Sequence, residues 1–582
     1  MKKNTLQRTF AVALTGAMVM GTLAGCSDAS TETTTDTAET QTETATEAAT
    51  TEAATEATEA TAEVEAGEGM DAWEPFAETV NLKIPVYDRG DAGNGASDVE
   101  NNYWTNWVQE NFGDAYNINV EYVGITRSDV MTDYAMLAAA QDLPTICMEY
   151  DYDKLATWES DGYLQPYDLE QFAQIAPTYY ATMVESGNIN YTQFEDEDYL
   201  ILGYRPYGNT TYTFGTFYRK DWLEEAGYDE YPQTTSELLE LYAKLVENGH
   251  EYPLGGTKVS GAGIDQNYGY RDYPQDEITW CTTGDYQIPA LSTEAQKRFL
   301  KLQNELYNDG YINPEYYLRD SSEAISDFVN GTAFTWSGYI SSTMDTLVSF
   351  YENNPDAELG LVVNSGEFTQ DDTWGSNNSY RPGSSIGMMI GFSNSATEDE
   401  VKAAMMYLEW LSQEDNLFTM TWGIEGVNFN YNEDGDPVAV GDQTGLEEQQ
   451  GHNNNVDYWC AVTAVKTLGS IEKDVAAIAP QGLPQDFTEE ILANYEGQVA
   501  LYNAGYANSD CMFATALESV AEYNQTLYDL YAEYRDKLTM CSKDEFDALY
   551  DELSQKYLDA GYQEVIDERQ DLFDQGLTTR LQ

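Results

Sequence analysis

Val80-Asn81-Leu82-Lys83-Ile84-Pro85-Val86-Tyr87 reads as a strand, and it is followed by Asp88-Arg89-Gly90 and a Gly/Asn/Asp loop. Working outward, residues 99–112 read as a helix, 118–125 as a strand, 129–140 as a helix and 145–150 as a strand. This βαβαβ order predicts an α/β fold with a parallel sheet covered by helices. In such sheets ligands sit beyond the carboxyl ends of the strands. The rule nominates Asp88 and Arg89 after the first strand, Glu149, Tyr150 and Asp151 after the third, and Asn102 and Tyr103 near a helix start. Trp104, Trp107 and Val108 recur at helical spacing and read as core.

Ahead of this region, Lys2, Lys3 and Arg8 precede an apolar run over 10–23 that ends in Leu23-Ala24-Gly25-Cys26. Basic, then apolar, then small residues is the order of a secretory signal, and the run falls short of the roughly 20 apolar residues of a spanning helix. It resembles a bacterial lipoprotein signal, which implies a signal peptide over 1–25 and lipid attachment at Cys26. An ordinary signal cleaved near Ala24 is the alternative. Residues 27–69 are mostly Thr, Glu and Ala. Like charges at nearly helical spacing disfavour a helix there, and little is available to bury. The expectation is a disordered tether over 26–70, reaching roughly 35 Å, that holds a folded domain (71–582) outside the cell.

The 582 residues are too many for one core, which predicts two lobes. A formal charge of −75 argues against nucleic acid and anionic membrane surfaces as partners. Five cysteines follow Cys26, namely Cys147, Cys281, Cys460, Cys511 and Cys541, and none forms a zinc or redox motif. His250 and His452 are the sole histidines, too few for histidine triads or multi-histidine metal sites. No catalytic residue, metal or cofactor is expected. The surplus lies in aromatics, with 45 Tyr, 19 Phe and 11 Trp, a supply suited to surfaces that contact amphipathic ligands.

Phe217-Tyr218-Arg219-Lys220-Asp221-Trp222-Leu223-Glu224-Glu225-Ala226-Gly227, then Tyr231-Pro232-Gln233-Thr234-Thr235-Ser236-Glu237-Leu238, reads as a strand end, a short helix closed by Gly227, a Pro turn and a Thr-capped helix. This order resembles the extracellular solute-binding proteins of ABC importers, the family-1, sugar-type group. Asp142-Leu143-Pro144-Thr145-Ile146 is similar to that family's Gly-Asp-x-Pro-Asp segment, with Gln141 in place of the Gly and Thr145 in place of the Asp. Gly331-Thr332-Ala333-Phe334-Thr335-Trp336 resembles the strand that precedes a cleft Trp. Residues 384–391 with 397–411, the segment Trp422-Gly423-Ile424-Glu425-Gly426-Val427-Asn428-Phe429, and the closing helices over 543–567 extend the likeness to most of residues 78–575.

The resemblance implies a periplasmic-binding-protein-like fold of two α/β lobes with a hinge and an interlobe cleft. Lobe 1 would take about 78–205 plus 381–412, and lobe 2 about 214–370 plus 416–582, with crossings near 204–214, around 369–381 and after 411. It also implies a binder rather than an enzyme, handing its ligand to ABC permease subunits at the extracellular face of the cell membrane. Sugars present flat CH faces and rings of hydroxyls, so aromatic platforms beside carboxylates, amides and Arg suit them. Trp280 is read as an exposed platform in a segment of low periodicity, Trp336 is carried over from the family, and Trp374, Tyr380 and Arg381 fall at the expected hinge. Trp422 and Trp459 are weaker candidates, and Trp222 and Trp410 read as packing on amphipathic helices. An oligosaccharide is the expected ligand, and a peptide is the alternative. A glycosidase using two carboxylates, or a cell-wall scaffold, are the competing classes, but the chain shows no signature of either. Tyr431-Asn432-Glu433-Asp434-Gly435-Asp436 lacks the full twelve-residue calcium loop and reads as a polar turn.

Overall fold

A computed structural model describes residues 67–89, 98–194, 197–210, 213–257, 277–283, 288–340, 344–363, 370–371, 373–376, 382–440, 443, 445–449, 455–479, 483–507, 509, 511–513 and 515–580. Cys26, the signal segment and nearly all of the tether lie outside these residues, as do Tyr380 and Arg381. The strand Val80–Asp88 pairs in parallel with Ile118–Thr126, from Val80 opposite Ile118 to Asp88 opposite Thr126. The third strand, Ile146–Glu149, stands beside them through side-chain bonds: Lys83 N donates to Thr145 Oγ1 at 3.1 Å and Tyr87 OH to Met148 O at 3.2 Å.

Its ladder partner is not the expected parallel neighbour but the distant return strand Ile386–Ser393, which also pairs antiparallel with Leu164–Gln165 and Ile201–Tyr204. All eight residues of the return strand are buried, and its glycines let neighbours close in. A Cβ on Gly391 would stand 2.9 Å from Leu164 Cδ1. The expected parallel pairing therefore holds for the first two strands, while the third joins an antiparallel ladder. The run Ile386-Gly387-Met388-Met389-Ile390-Gly391-Phe392 is apolar enough to take the centre of the sheet.

A second, antiparallel sheet places Phe214–Arg219 between Leu359–Leu361 and Thr335–Tyr339. Its helices begin where their caps dictate. Thr234 and Glu237 exchange side-chain and backbone bonds at the start of Thr235–Glu247, as the sequence predicts. The chain closes with helices Glu518–Met540, Phe546–Tyr557 and Gln563–Asp574.

One core joins residues of 80–202 and 386–411, and three smaller cores fill 217–362 and the C-terminal helices. The first core also takes Met420, residues 458–462 and Met512, so these parts of the expected second lobe pack with the first. Trp459 and Cys460 are 3 % and 0 % exposed there, a burial that favours this packing. Cys281 and Cys511 form a disulfide, while Cys147, Cys460 and Cys541 are free. Among the described residues no helix is long and apolar enough to cross a membrane, and no cluster of side chains could hold a metal ion.

Three of the segments that run between the first core and the others bond to one another. Tyr204 N donates to Val462 O at 2.9 Å, Ala464 N to Tyr204 O at 2.8 Å, and Arg205 N to Ser385 O at 2.8 Å. Asn188 ties two of them by donating to Gly203 O and Ser385 O, each at 3.1 Å. A Cβ on Gly208 would meet the Ser384 carbonyl at 2.3 Å, so this approach requires glycine.

Candidate functional site

The carboxyl ends of the first three strands gather a polar cluster. Arg89 leaves the first strand and donates Nε and Nη2 to the two carboxylate oxygens of Asp457, both at 2.9 Å. Asp457 is buried, and although Arg89 favours its ionised form, the loss of water raises its pKa above the usual carboxylate value. Next to it, Tyr458 OH donates to Val99 O and receives a bond of 2.7 Å from Asn102 Nδ2, and burial pushes its phenol up to about 12. Asn102 also caps the helix Tyr103–Val108 in a reciprocal box with Thr105. Tyr103 is half-buried, edge-on to Trp104 with ring centres 5.1 Å apart.

At the end of the third strand, Glu149 is 1 % exposed. It faces Arg127 Nη1 at 3.2 Å and Lys154 Nζ at 3.6 Å, and accepts from Tyr150 N at 2.8 Å. Arg127, Lys154 and the Tyr150 backbone thus surround its oxygens. Asp151 caps the helix Tyr152–Ser160 by accepting from Asp153 N, with Lys154 3.9 Å away. Arg127 also lies over the Tyr87 ring at 4.7 Å, and Arg205 lies 6.0 Å from the ring of Tyr150. Burial holds the Tyr150 phenol protonated, well above its ordinary pKa.

The structure thus brings Arg89, Asn102, Glu149, Tyr150 and Asp151 together around a network that sequence reasoning saw only in part. Arg127 follows the second strand as Arg89 follows the first, so the strand-end rule applied to all three strands would have found it. Lys154, one helical turn after Asp151, had a similar signal. Asp457 and Tyr458 had none, being 368 and 356 residues from Arg89 and Asn102.

The aromatic candidates fare differently. Trp280 is not an exposed platform: it is 2 % exposed, lies in the helix Glu277–Thr283 rather than a loop, and donates its indole N–H to Ser509 O at 2.6 Å. The adjoining Cys281–Cys511 disulfide and the buried Arg569, which donates to Thr282 O, fix that helix in the interior. Trp336 is half-buried, with its ring against Phe217 and Phe328 at 6.3 and 5.7 Å. Tyr339, farther along the same strand, is 62 % exposed with its ring 5.4 Å from Phe214. Trp374 is half-buried beside the core that contains Trp222. Trp422, Trp459, Trp222 and Trp410 are all buried. The Asn432 to Asp436 segment is a turn closed by Asn432 Oδ1, which accepts from the backbone of Asp434 and Asp436.

Comparison with known proteins adds to this geometry. The family described as bacterial extracellular solute-binding protein matches residues 95–416. A polygalacturonan/rhamnogalacturonan-binding protein of Bacillus subtilis is 26 % identical over 235 residues, 38 % of this chain and 44 % of that relative, so the match spans less than half of its length. Among solved structures, the Streptococcus pneumoniae ABC-transporter substrate-binding protein FusA in complex with kestose has a TM-score of 0.59 at 12 % identity, covering 85 % of this chain and 99 % of its own. An HMO-binding, ABC-transporter-associated solute-binding protein of Bifidobacterium longum infantis has a TM-score of 0.57 at 14 % identity, covering 86 % and 99 %. The fold is theirs: periplasmic-binding-protein-like, with two α/β lobes.

Proposed function

Since the chain belongs to the bacterial extracellular solute-binding proteins, which bind and do not catalyse, we propose that it captures a carbohydrate, an oligosaccharide, and delivers it to the membrane permease of an ABC importer. The observation that carries this reading is the family match over more than half of the chain, on a fold whose polar cluster lies at the carboxyl ends of the strands. The sugar-binding and glycan-binding relatives favour carbohydrate over peptide.

In this reading the two lobes close over the guest by bending where the chain crosses near 204–213, 382–386 and 463–470. Hinge closure around a ligand is a familiar two-state device. Arg89, Asn102, Tyr103, Tyr150 and Asp151 contribute from the first lobe, and Trp336 and Trp374 from the second, with Tyr380 and Arg381 at the return. Cys26 carries the lipid, the 26–70 tether spaces the domain from the membrane, and the protein works at the extracellular face.

A thermal-shift screen of the full chain against oligosaccharides and peptides tests the function, because a ligand at 100 times its Kd adds about 2.7 kcal/mol. Stabilisation by peptides alone would replace the carbohydrate reading. Appearance of new reducing ends would make the protein an enzyme. Palmitate labelling of cells carrying the natural chain and Cys26→Ala tests the anchor, and equal labelling of both would refute it.

A further inference from the structure

The chain carries 102 acidic and 27 basic residues, so a cation without a carboxylate partner stands against its composition. At the strand ends the rule holds: Arg89 is matched by Asp457, and Arg127 and Lys154 by Glu149 and Asp151. Two cations at the crossing break it. Arg205 directly follows Tyr204, whose backbone bridges Thr463, and Lys466 comes three residues after Thr463. Arg205 donates Nε to Ile386 O at 3.2 Å and lies over Tyr150, and no ion pair joins it to a described carboxylate. Lys466 is half-buried with its Nζ 4.7 Å from the centre of the Trp422 ring. Burial lowers its pKa to about 8, and no neighbouring carboxylate opposes that shift. Lys244 also lies over a ring, that of Tyr228, but it is exposed on the helix Thr235–Glu247.

Holding an ammonium away from water without a counter-charge is unfavourable, and a nearby Asp or Glu would relieve the cost. A chain so rich in carboxylates that leaves the position unmatched is suited to a counter-charge arriving with the guest. Guanidinium adds a planar fork that fits a carboxylate in two bonds. Repulsion from the net charge of −75 does not forbid such a guest, because salt screens it beyond about 8 Å and contact is decided locally.

We propose that the guest is an acidic glycan, built from uronic acids or sugars of comparable charge, and that Lys466 and Arg205 receive its carboxylates at the crossing between the lobes. This assignment rests on the carbohydrate-binding reading above and adds the ligand's charge class and two residues to it.

Calorimetry of the full chain tests it with three pairs of probes: oligomers of galacturonate, of glucuronate and of mannuronate/guluronate, each beside its methyl-esterified, neutral form. At least one acid is expected to bind, and its ester to bind at least about tenfold more weakly, the scale of one charge-assisted hydrogen bond. Lys466→Met and Arg205→Met should each weaken the acid by a similar factor and the ester by much less, while Lys466→Arg restores most of the loss. Circular dichroism of each variant establishes that it is folded. If neutral oligosaccharides bind and all the acids do not, or if both Met variants bind the acid as the natural chain does, this assignment falls and the carbohydrate reading stands. If no glycan of either kind binds, both fall.

Discussion

Arg89 and Lys466 are both basic side chains near the junction of the two lobes, yet their surroundings are opposite. Arg89 is partly open to water and holds a carboxylate that is fully enclosed. Lys466 is crowded by protein and rests on an indole with no carboxylate beside it. The first arrangement is complete before any guest arrives, whereas the second leaves a charge to be answered. A basic side chain is therefore neutralised by the protein in one region and left unanswered in the other, and the sign of a mutational effect on stability separates the two.

The largest effect is expected from Arg89→Met, which strands the enclosed Asp457. Chemical denaturation at pH 7 should show a loss of about 3 kcal/mol, as for other broken buried pairs. Asp457 already has a folded pKa above its ordinary value, so its protonation favours the folded state as pH falls. The defect in Arg89→Met should accordingly shrink between pH 7 and pH 5. A defect that is constant across that range would show that Asp457 stays charged without help.

Gly208→Ala comes next, since the new methyl collides with the backbone of Ser384. A loss of about 2 kcal/mol in the same assay is expected from overpacking, together with weaker glycan binding. Gly469→Ala, where an added Cβ has open space although φ is +86°, should cost less. Equal costs at the two glycines would show that the crossings can move apart freely.

Lys466→Met should act in the opposite direction to Arg89→Met, stabilising the unliganded protein at pH 7 by about 1–2 kcal/mol because it removes a desolvated ammonium. The folded pKa is about 8 and the unfolded one near 10.5, so the penalty on the natural chain is full below pH 8 and fades as pH rises between them. The advantage of the Met variant should be gone near pH 10.5. Destabilisation at pH 7 would show that Lys466 holds the fold together, as the Arg89–Asp457 pair does. The smallest effect is expected from Asp151→Ala, a lost helix cap of about 1 kcal/mol measured by thermal unfolding.

The sequence made local structure legible and left its assembly obscure. The strand over 80–87, the helix over 129–140 and the Thr234 cap follow from short-range patterns, and the structure has Val80–Asp88, Val130–Ala140 and the capped Thr235–Glu247. The rule that ligands meet strand ends nominated Arg89 and Tyr150, and the structure places both in the polar cluster. Pairing across hundreds of residues left no local trace. Asp457 opposite Arg89, the return strand between Ile146–Glu149 and Ile201–Tyr204, and the burial of 458–462 in the first core are all contacts of this kind. Trp280 misled because an indole between polar residues looks the same whether its face meets solvent or a disulfide-bonded helix.

The buried strand Ile386–Ser393 has a consequence for the birth of the molecule. As the chain folds, everything up to residue 385 forms a sheet missing its middle plank, with Cys147, Met148 and Ile201 open to water until that plank arrives. Such late, long-distance closure makes maturation slow and leaves the growing polypeptide adhesive for its first several hundred residues. The yield of working protein should then depend on how long those apolar edges wait for their partner, more than on any feature of the finished fold.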